Sequence, residues 1–125
     1  MLEYLESGLS ASDAVATSIA DETFPNYRQL LAIDKNGNTC IHSGEMSLGI
    51  WTATQGLCCA AGGNLLADVG VPQAMVEGFE NTEGALGDRL IAAMQSGLNA
   101  GGEAGPLHSA GLLIVDTVSY THLRA

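Results

Sequence analysis

Apolar residues recur along the chain with two different periods, and each period predicts a different kind of element. At the start, residues 1–8 and 11–20 carry apolar side chains at helical spacing. The second of these helices opens on Ser10-Ala11-Ser12-Asp13, a sequence like a capping box with Asp in place of Glu. Pro25 ends this unit, so the first part of the chain is predicted to be helical.

The middle of the chain has the pattern of β-strands. Two apolar runs, residues 28–34 and 39–42, flank Lys35-Asn36-Gly37-Asn38. An Asn-Gly pair between two such runs is a strong short-range signal for a β-hairpin. Residues 51–54 and 57–60 then predict one or two further strands.

Helical spacing returns in the last part of the chain. One helix begins at Val71-Pro72, where proline is tolerated in the first turn, and a longer one follows after Gly84. Their apolar stripes, which we expect to belong to the core, comprise Val71, Met75, Val76 and Phe79 and then Leu86, Leu90, Ile91, Met94 and Leu98. Residues 109–115 form a nearly continuous apolar run, which predicts a strand that is buried on both faces.

This order of elements predicts an α+β fold, with antiparallel hairpins packed against a helical layer. A length of 125 residues suits one domain, and 46% apolar residues supply an ordinary core. The longest apolar runs fall well below the 18 or so residues of a membrane-spanning helix.

The chain is strongly acidic. Its formal charge is -10, from 14 acidic residues against Arg28, Lys35, Arg89 and Arg124. Nucleic acids and anionic membrane surfaces are bound through basic patches. We therefore expect neither nucleic acid nor a membrane among the partners.

Three cysteines, Cys40, Cys58 and Cys59, give an odd count with two adjacent. This is a poor disulfide framework, so a cytoplasmic location is expected. The chain has no C-x-x-C pair, and we expect no metal and no cofactor. The three thiols are instead expected to be small buried apolar groups.

The glycine-rich segment from Gly101 to Ser109 is the best candidate for a functional site. Its glycines let backbone amides approach a ligand, and Glu103, His108 and Ser109 carry groups suited to acid–base work or oxyanion stabilisation. A structural role is the alternative, in which Gly101 ends the helix and Glu103 faces water.

Gly62-Gly63-Asn64 is a second candidate, at a point where a strand is expected to give way to a turn. The Asn64 amide could face a developing oxyanion there, or Asn64 could simply be a turn residue. His42-Ser43-Gly44-Glu45 also groups an imidazole, a hydroxyl and a carboxylate, but a solvated loop explains this segment as well.

Several motifs in this order resemble one family. Gly63-Asn64-Leu65-Leu66, the helix pair in residues 79–94, and residues 101–106 running into His108-Ser109-Ala110 are similar to the domain-of-unknown-function 1028 family. The fold of that family is similar to the N-terminal-nucleophile (Ntn) hydrolases. The resemblance therefore implies an αββα layered sandwich.

The resemblance also implies an incomplete domain. It covers residues 1–118, and the family's first strands are expected to precede Met1, so an apolar face would be exposed and a homo-oligomer could form. Residues 119–125 depart from the family pattern and are expected to be a non-native or disordered tail.

The implied activity is amide hydrolysis. Ntn hydrolases use the side chain of the first mature residue as nucleophile and its α-amine as base. The resemblance thus implies a nucleophile upstream of Met1, a small-molecule or peptide amide ligand, and a pocket lined by Asn64, Glu103, His108 and Ser109. The alternative is a non-catalytic small-ligand or peptidoglycan-related binding domain, because some family members are joined to a peptidoglycan-binding-like domain.

Overall fold

A computed structural model describes residues 1–115 and shows a mixed α+β fold, as predicted. The predicted boundary between the domain and its tail, at residues 118 and 119, lies outside these residues. The elements in chain order are α1 (Leu2–Glu6), α2 (Ala11–Ala20), a 3-10 helix (Pro25–Tyr27), β1 (Gln29–Ile33), β2 (Thr39–Ser43), β3 (Ile50–Gly56), β4 (Cys59–Leu66), α3 (Val71–Glu80) and α4 (Leu86–Asn99).

The predicted start of α2 and the predicted first hairpin are both confirmed. The Ser10 side chain accepts a hydrogen bond from the Asp13 amide at 3.1 Å, which caps the first turn of α2. β1 and β2 pair antiparallel around the Asn-Gly turn, with Leu31 opposite Ile41. Helix α2 packs on both strands of this hairpin.

Asp34 links the hairpin turn to the start of α2. Its carboxylate accepts hydrogen bonds from the Ala11 amide at 3.1 Å, the Asn36 amide at 2.9 Å and the Asn38 amide at 3.0 Å. These bonds favour the charged form, and the bond from Ala11 contributes most to a lowered pKa of Asp34. One side chain therefore fixes a turn and a helix end together.

A small core lies between α2 and the first hairpin. We call it the closed core, and its buried centre is Ala11, Val15 and Ala32. Partly buried side chains surround that centre, namely Met1, Leu5, Ile19 and Cys40. Small residues at the centre allow α2 to lie close to the strands.

The second hairpin is longer than the sequence pattern predicted. β3 and β4 pair antiparallel around the Leu57-Cys58 turn. The prediction of a turn at Gly62-Gly63-Asn64 is wrong, because these residues continue β4, with Gly63 opposite Thr52. The register shifts between Ile50 and Thr52, where β4 has Leu65 in the left-handed backbone region (φ 49°).

The two hairpins pack closely because β4 has glycine where they meet. A Cβ added at Gly62 would lie 3.1 Å from Ala53 Cβ and 3.4 Å from Leu31 Cδ2. The Gln29 side chain crosses the gap and donates to the Thr52 carbonyl at 3.1 Å. Glycine inside a strand often marks a site where another part of the chain approaches closely, and Gly62 has this role here.

Helices α3 and α4 pack against each other and, through α3, against the second hairpin. Pro72 is fully buried in the first turn of α3, and Val76 and Phe79 are buried farther along. The contact with α4 is made at small residues, since Ala93 and Gly97 are the buried positions of that helix. No helix within residues 1–115 combines the length and the apolar character needed to cross a membrane.

Several expectations about burial are wrong. Residues 109–115 are not a buried strand, because no strand among residues 1–115 pairs with them, and Leu113 is 84% exposed. Without a neighbouring strand, an apolar run cannot satisfy its backbone groups in a sheet. Four residues of the α4 stripe are about half exposed rather than core, namely Leu86, Ile91, Met94 and Leu98. Cys58 is exposed at the tip of the second hairpin.

Candidate ligand-binding groove

An apolar groove of about 420 Å³ lies where α3, α4, the end of β4 and the segment after α4 meet. We call this feature the groove. Its volume falls within the range that holds a small-molecule ligand. Apolar side chains form most of its wall, namely Leu66, Val71, Met75, Ile91, Met94, Leu98, Leu107 and Ala110.

The end of α4 shapes one side of the groove. The Gly101 amide donates to the Leu98 carbonyl at 3.1 Å, and the Gly102 amide donates to the Gly97 carbonyl at 2.9 Å. This pair of bonds defines a Schellman motif, which requires a left-handed residue after the helix. Gly101 (φ 127°) and Gly102 (φ 63°) supply that backbone, so Gly101 ends the helix as the structural reading proposed.

A short bridge then positions Glu103. The Ala67 amide donates to the Gly102 carbonyl at 2.9 Å, and the Ala104 amide donates to the Leu65 carbonyl at 2.8 Å. These bonds flank an antiparallel pair formed by Leu66 and Glu103, whose side chains therefore lie side by side on one face. Because Leu66 is buried in the groove wall, Glu103 is brought to the same wall.

The structure places the four predicted site residues in two groups. Glu103 lines the groove, whereas Asn64, His108 and Ser109 are exposed and lie outside its lining. Asn64 is on β4, beside the bulge at Leu65. A role for these three residues in ligand binding stays a prediction.

The groove's chemistry is simple. Its polar side chains are Gln95 and Glu103, and the Gln95 amide already donates to Asn99 at 2.9 Å. Its lining has no serine, threonine, cysteine or histidine among residues 1–115. The described residues thus supply a binding surface with one carboxylate, without a nucleophile beside a base.

The cations of residues 1–115 are engaged or remote from the groove. Arg28 pairs with Glu22 at 3.4 Å. Arg89 lies over the Phe79 ring, 4.0 Å from its centroid, and donates to the Phe79 carbonyl at 3.2 Å. Lys35 lies in the turn of the first hairpin, so none of the three belongs to the groove lining.

The weaker sequence candidates have structural partners. A ring nitrogen of His42 donates to the Pro25 carbonyl at 2.9 Å, and Ser43 accepts from the Gln29 amide at 3.0 Å. Burial raises the pKa of the Cys59 thiol, with a smaller contribution from Glu80. The part of the chain that the structure describes contains no cluster of three or more histidine, cysteine or acidic residues able to hold a metal ion.

A second, shallow depression lies between α3 and α4, away from the groove. It is polar, with Glu77, Asn81, Thr82, Ser96 and Asn99 in its lining. Several of these groups are already bonded, since Thr82 donates to the Gly78 carbonyl and Glu77 accepts from Gln73. We therefore regard the apolar groove as the stronger site.

The sequence signal for this groove is the apolar stripe of α4, which sequence analysis predicts to be core. Ile91, Met94 and Leu98 follow the spacing of one helical stripe, which identifies a common face but not what covers it. The Leu66–Glu103 bridge joins residues distant in sequence, and no local pattern marks it.

Comparisons with known proteins agree with the α+β architecture. A family model described as "Family of unknown function (DUF1028)" matches residues 1–125. The chain is also similar to a crystal structure of a DUF1028 protein from Silicibacter pomeroyi, with 32% sequence identity and a TM-score of 0.76. That match covers 82% of this chain and 45% of the Silicibacter protein, so the chain spans less than half of that relative's length. A search of curated proteins gave no match.

Proposed function

The chain belongs to the DUF1028 family, and on that premise we propose that it forms the ligand-binding part of an Ntn-type amide hydrolase. In this proposal the groove holds the apolar portion of a small-molecule or peptide amide. The catalytic nucleophile is a terminal Thr, Ser or Cys that lies outside this sequence. The observation that carries the proposal is the groove itself, an apolar cavity with one carboxylate at its wall.

The chemistry follows from the fold that the family resemblance implies. A free α-amine would take the proton from the nucleophile, whose side chain attacks the amide carbon. Backbone amides or an Asn side chain would donate to the resulting oxyanion. The groove would contribute by holding the substrate still beside these groups, since correct positioning lowers the entropic part of the barrier.

The arrangement of the layers supports this reading. Helix α2 packs on the first hairpin, that hairpin packs on the second, and α3 packs on the second. Such an order of helix, sheet, sheet and helix is what an αββα sandwich requires. Because one fold can host unrelated reactions, the reaction is tested separately from the fold.

Measuring the intact mass and the amino-terminal sequence of the full-length product tests the hydrolase proposal. We expect a mature chain that opens on Thr, Ser or Cys after more processing than simple methionine removal. Release of an amine from a matching amide substrate should depend on that residue. An unprocessed chain with an inert first residue would contradict the hydrolase proposal.

A non-catalytic binding domain, for a small ligand or for peptidoglycan-related material, is the second candidate. One observation favours it, namely that no hydroxyl, thiol or imidazole of residues 1–115 lines the groove. This candidate predicts a saturable rise in melting temperature with a ligand and no turnover. Substituting Glu103 by alanine should weaken that rise without a large loss of stability, because the Glu103 side chain is exposed.

A further inference from the structure

We infer that the groove selects amphiphilic cations, that is, ligands that join an apolar body to a protonated amine, with Glu103 as the partner of the amine. This inference rests on the proposed ligand-binding role of the groove and adds the chemical class of the ligand. It would hold for the amine-bearing end of an amide substrate as well as for a ligand that is bound and not cleaved.

The apolar body that we infer for the ligand is based on the apolar side chains of the groove wall. Leu66 and Val71 are buried and form a fixed part of the wall. Met94 and Leu98 are about half exposed, and unbranched methionine adapts to irregular shapes. Covering such side chains removes apolar surface from water, which favours binding of an alkyl or aromatic group.

The positive charge that we infer for the ligand is based on the Glu103 carboxylate. It is the charged residue of the groove lining, and the bridge to Leu66 holds it against the apolar wall. No cation of residues 1–115 forms an ion pair with it, since Arg28 pairs with Glu22 and Arg89 lies over Phe79. A carboxylate in this position attracts a ligand amine and repels a ligand carboxylate.

The charge of the whole chain acts in the same direction. A formal charge of -10 raises the local concentration of small cations and lowers that of anions. Anionic ligands such as fatty acids or phosphate esters would fit the apolar wall or the glycine backbone, but they would meet Glu103. Charge complementarity therefore separates the amine from other amphiphiles of the same size.

A matched series of three probes tests the inference with the full chain at pH 7. Hexylammonium, hexanol and hexanoate share one alkyl body and differ in charge, and an alkylammonium, like a lysine side chain, stays protonated at this pH. Binding is measured by the shifts of backbone amide resonances at Leu66, Leu98 and Glu103. We expect hexylammonium to bind about threefold more tightly than hexanol, the size of effect typical of an exposed ion pair, and hexanoate to bind most weakly.

Two variants separate charge from shape. Glu103→Gln keeps the size of the side chain, so it should make hexylammonium and hexanol bind equally. Glu83→Gln removes an exposed carboxylate outside the groove and should leave the ratio unchanged. Raising the salt concentration from 0.02 M to about 0.5 M should also reduce the ratio in the unsubstituted protein, because salt screens an exposed pair.

The outcomes are distinguishable. Equal binding of hexylammonium and hexanol by the unsubstituted protein would overturn the cation inference while leaving a groove that binds apolar ligands. Binding of none of the probes would overturn both the inference and the proposed function. Sedimentation showing that a second copy of the chain covers the groove, with no probe able to displace it, would overturn the inference by assigning another occupant.

Discussion

The closed core and the groove differ in what covers their apolar side chains. In the closed core, α2 lies over the first hairpin, and Ala11 and Val15 are at most 5% exposed. In the groove, Ile91 and Met94 point from α4 with 59% and 52% of their surface exposed. Both regions carry apolar stripes with the same helical period. The period identifies which residues share a helix face, and the tertiary contacts decide whether that face becomes a core or a binding surface.

Polar contacts mark the same contrast. The closed core is held by Ser10 at the start of α2 and by Asp34 across the hairpin turn. Helix α4 begins at Leu86, and its N-cap residue Ala85 has no side chain that could cap the first turn. Side-chain hydrogen bonds therefore specify the start of α2 in the closed core, whereas backbone hydrogen bonds after the end of α4 hold the groove.

The largest effect on stability is expected at Gly44, which directly follows β2 of the first hairpin. A Cβ there would overlap the Asn26 carbonyl and lie 2.6 Å from the Pro25 carbonyl oxygen, and backbone cannot move aside cheaply. Gly44→Ala should lower the free energy of unfolding by about 3 kcal/mol, measured by urea denaturation. Gly105→Ala is the control in the groove, where an added Cβ meets nothing within 4 Å and the change should stay within about 0.5 kcal/mol.

A matched pair of truncations tests the contrast in burial directly. Val15→Ala removes two methyl groups from the closed core and should cost about 2 kcal/mol of unfolding free energy. Ile91→Ala removes more carbon from the groove wall but should change stability by less than about 0.5 kcal/mol. Equal losses in both variants would mean that the groove face is covered in solution, which would break the comparison.

Removing the cap of α2 and adding one to α4 sharpens the comparison. Ser10→Ala removes the bond to the Asp13 amide and should destabilise the protein by about 1 kcal/mol. Ser12→Ala, inside the same helix, removes an exposed, long contact to Cys40 Sγ at 3.9 Å and is the control, which should be nearly neutral. Ala85→Ser offers α4 the cap it lacks, at a residue whose backbone is already extended, and should raise the melting temperature. A destabilised Ala85→Ser variant would show that the start of α4 is held by contacts other than its cap.

The smallest effect is expected in the pH dependence of stability, to which Asp34 contributes. Because Asp34 has a lowered folded-state pKa, it contributes stability at neutral pH, and that contribution is lost as the pH falls from the ordinary carboxyl value of 3.8 through the lowered value. Asp34→Asn should therefore lose stability at pH 7 and flatten this part of the pH–stability profile. The control Glu6→Gln removes an exposed carboxylate of α1 and should leave the profile unchanged.

The sequence predicts those elements whose signals lie in neighbouring residues. Ser10 and the Asn36-Gly37 pair gave the start of α2 and the first hairpin, because a cap and a tight turn depend on neighbouring residues. The DUF1028 resemblance, predicted for residues 1–118, is confirmed by a family model that matches residues 1–125. Glu103 was identified by its residue type, and the structure brings it to the groove wall.

The remaining features depend on distant contacts. Gly62 and Gly63 look like a turn in sequence, but pairing with β3 keeps them in a strand. Residues 109–115 have the composition of a strand, yet strand formation needs a partner that residues 1–115 do not provide. The exposure of Ile91 and Met94 likewise depends on what packs over α4, which periodicity does not encode.

The bridge between Leu66 and Glu103 also has a dynamic consequence. Its two hydrogen bonds, from Ala67 and Ala104, join the end of β4 to the segment after α4 and so close the loop that contains both helices. The groove wall can separate only when these bonds break, a local opening that exposes both amides to solvent. Hydrogen exchange at Ala67 and Ala104 should therefore be correlated, and a bound ligand should slow both amides together.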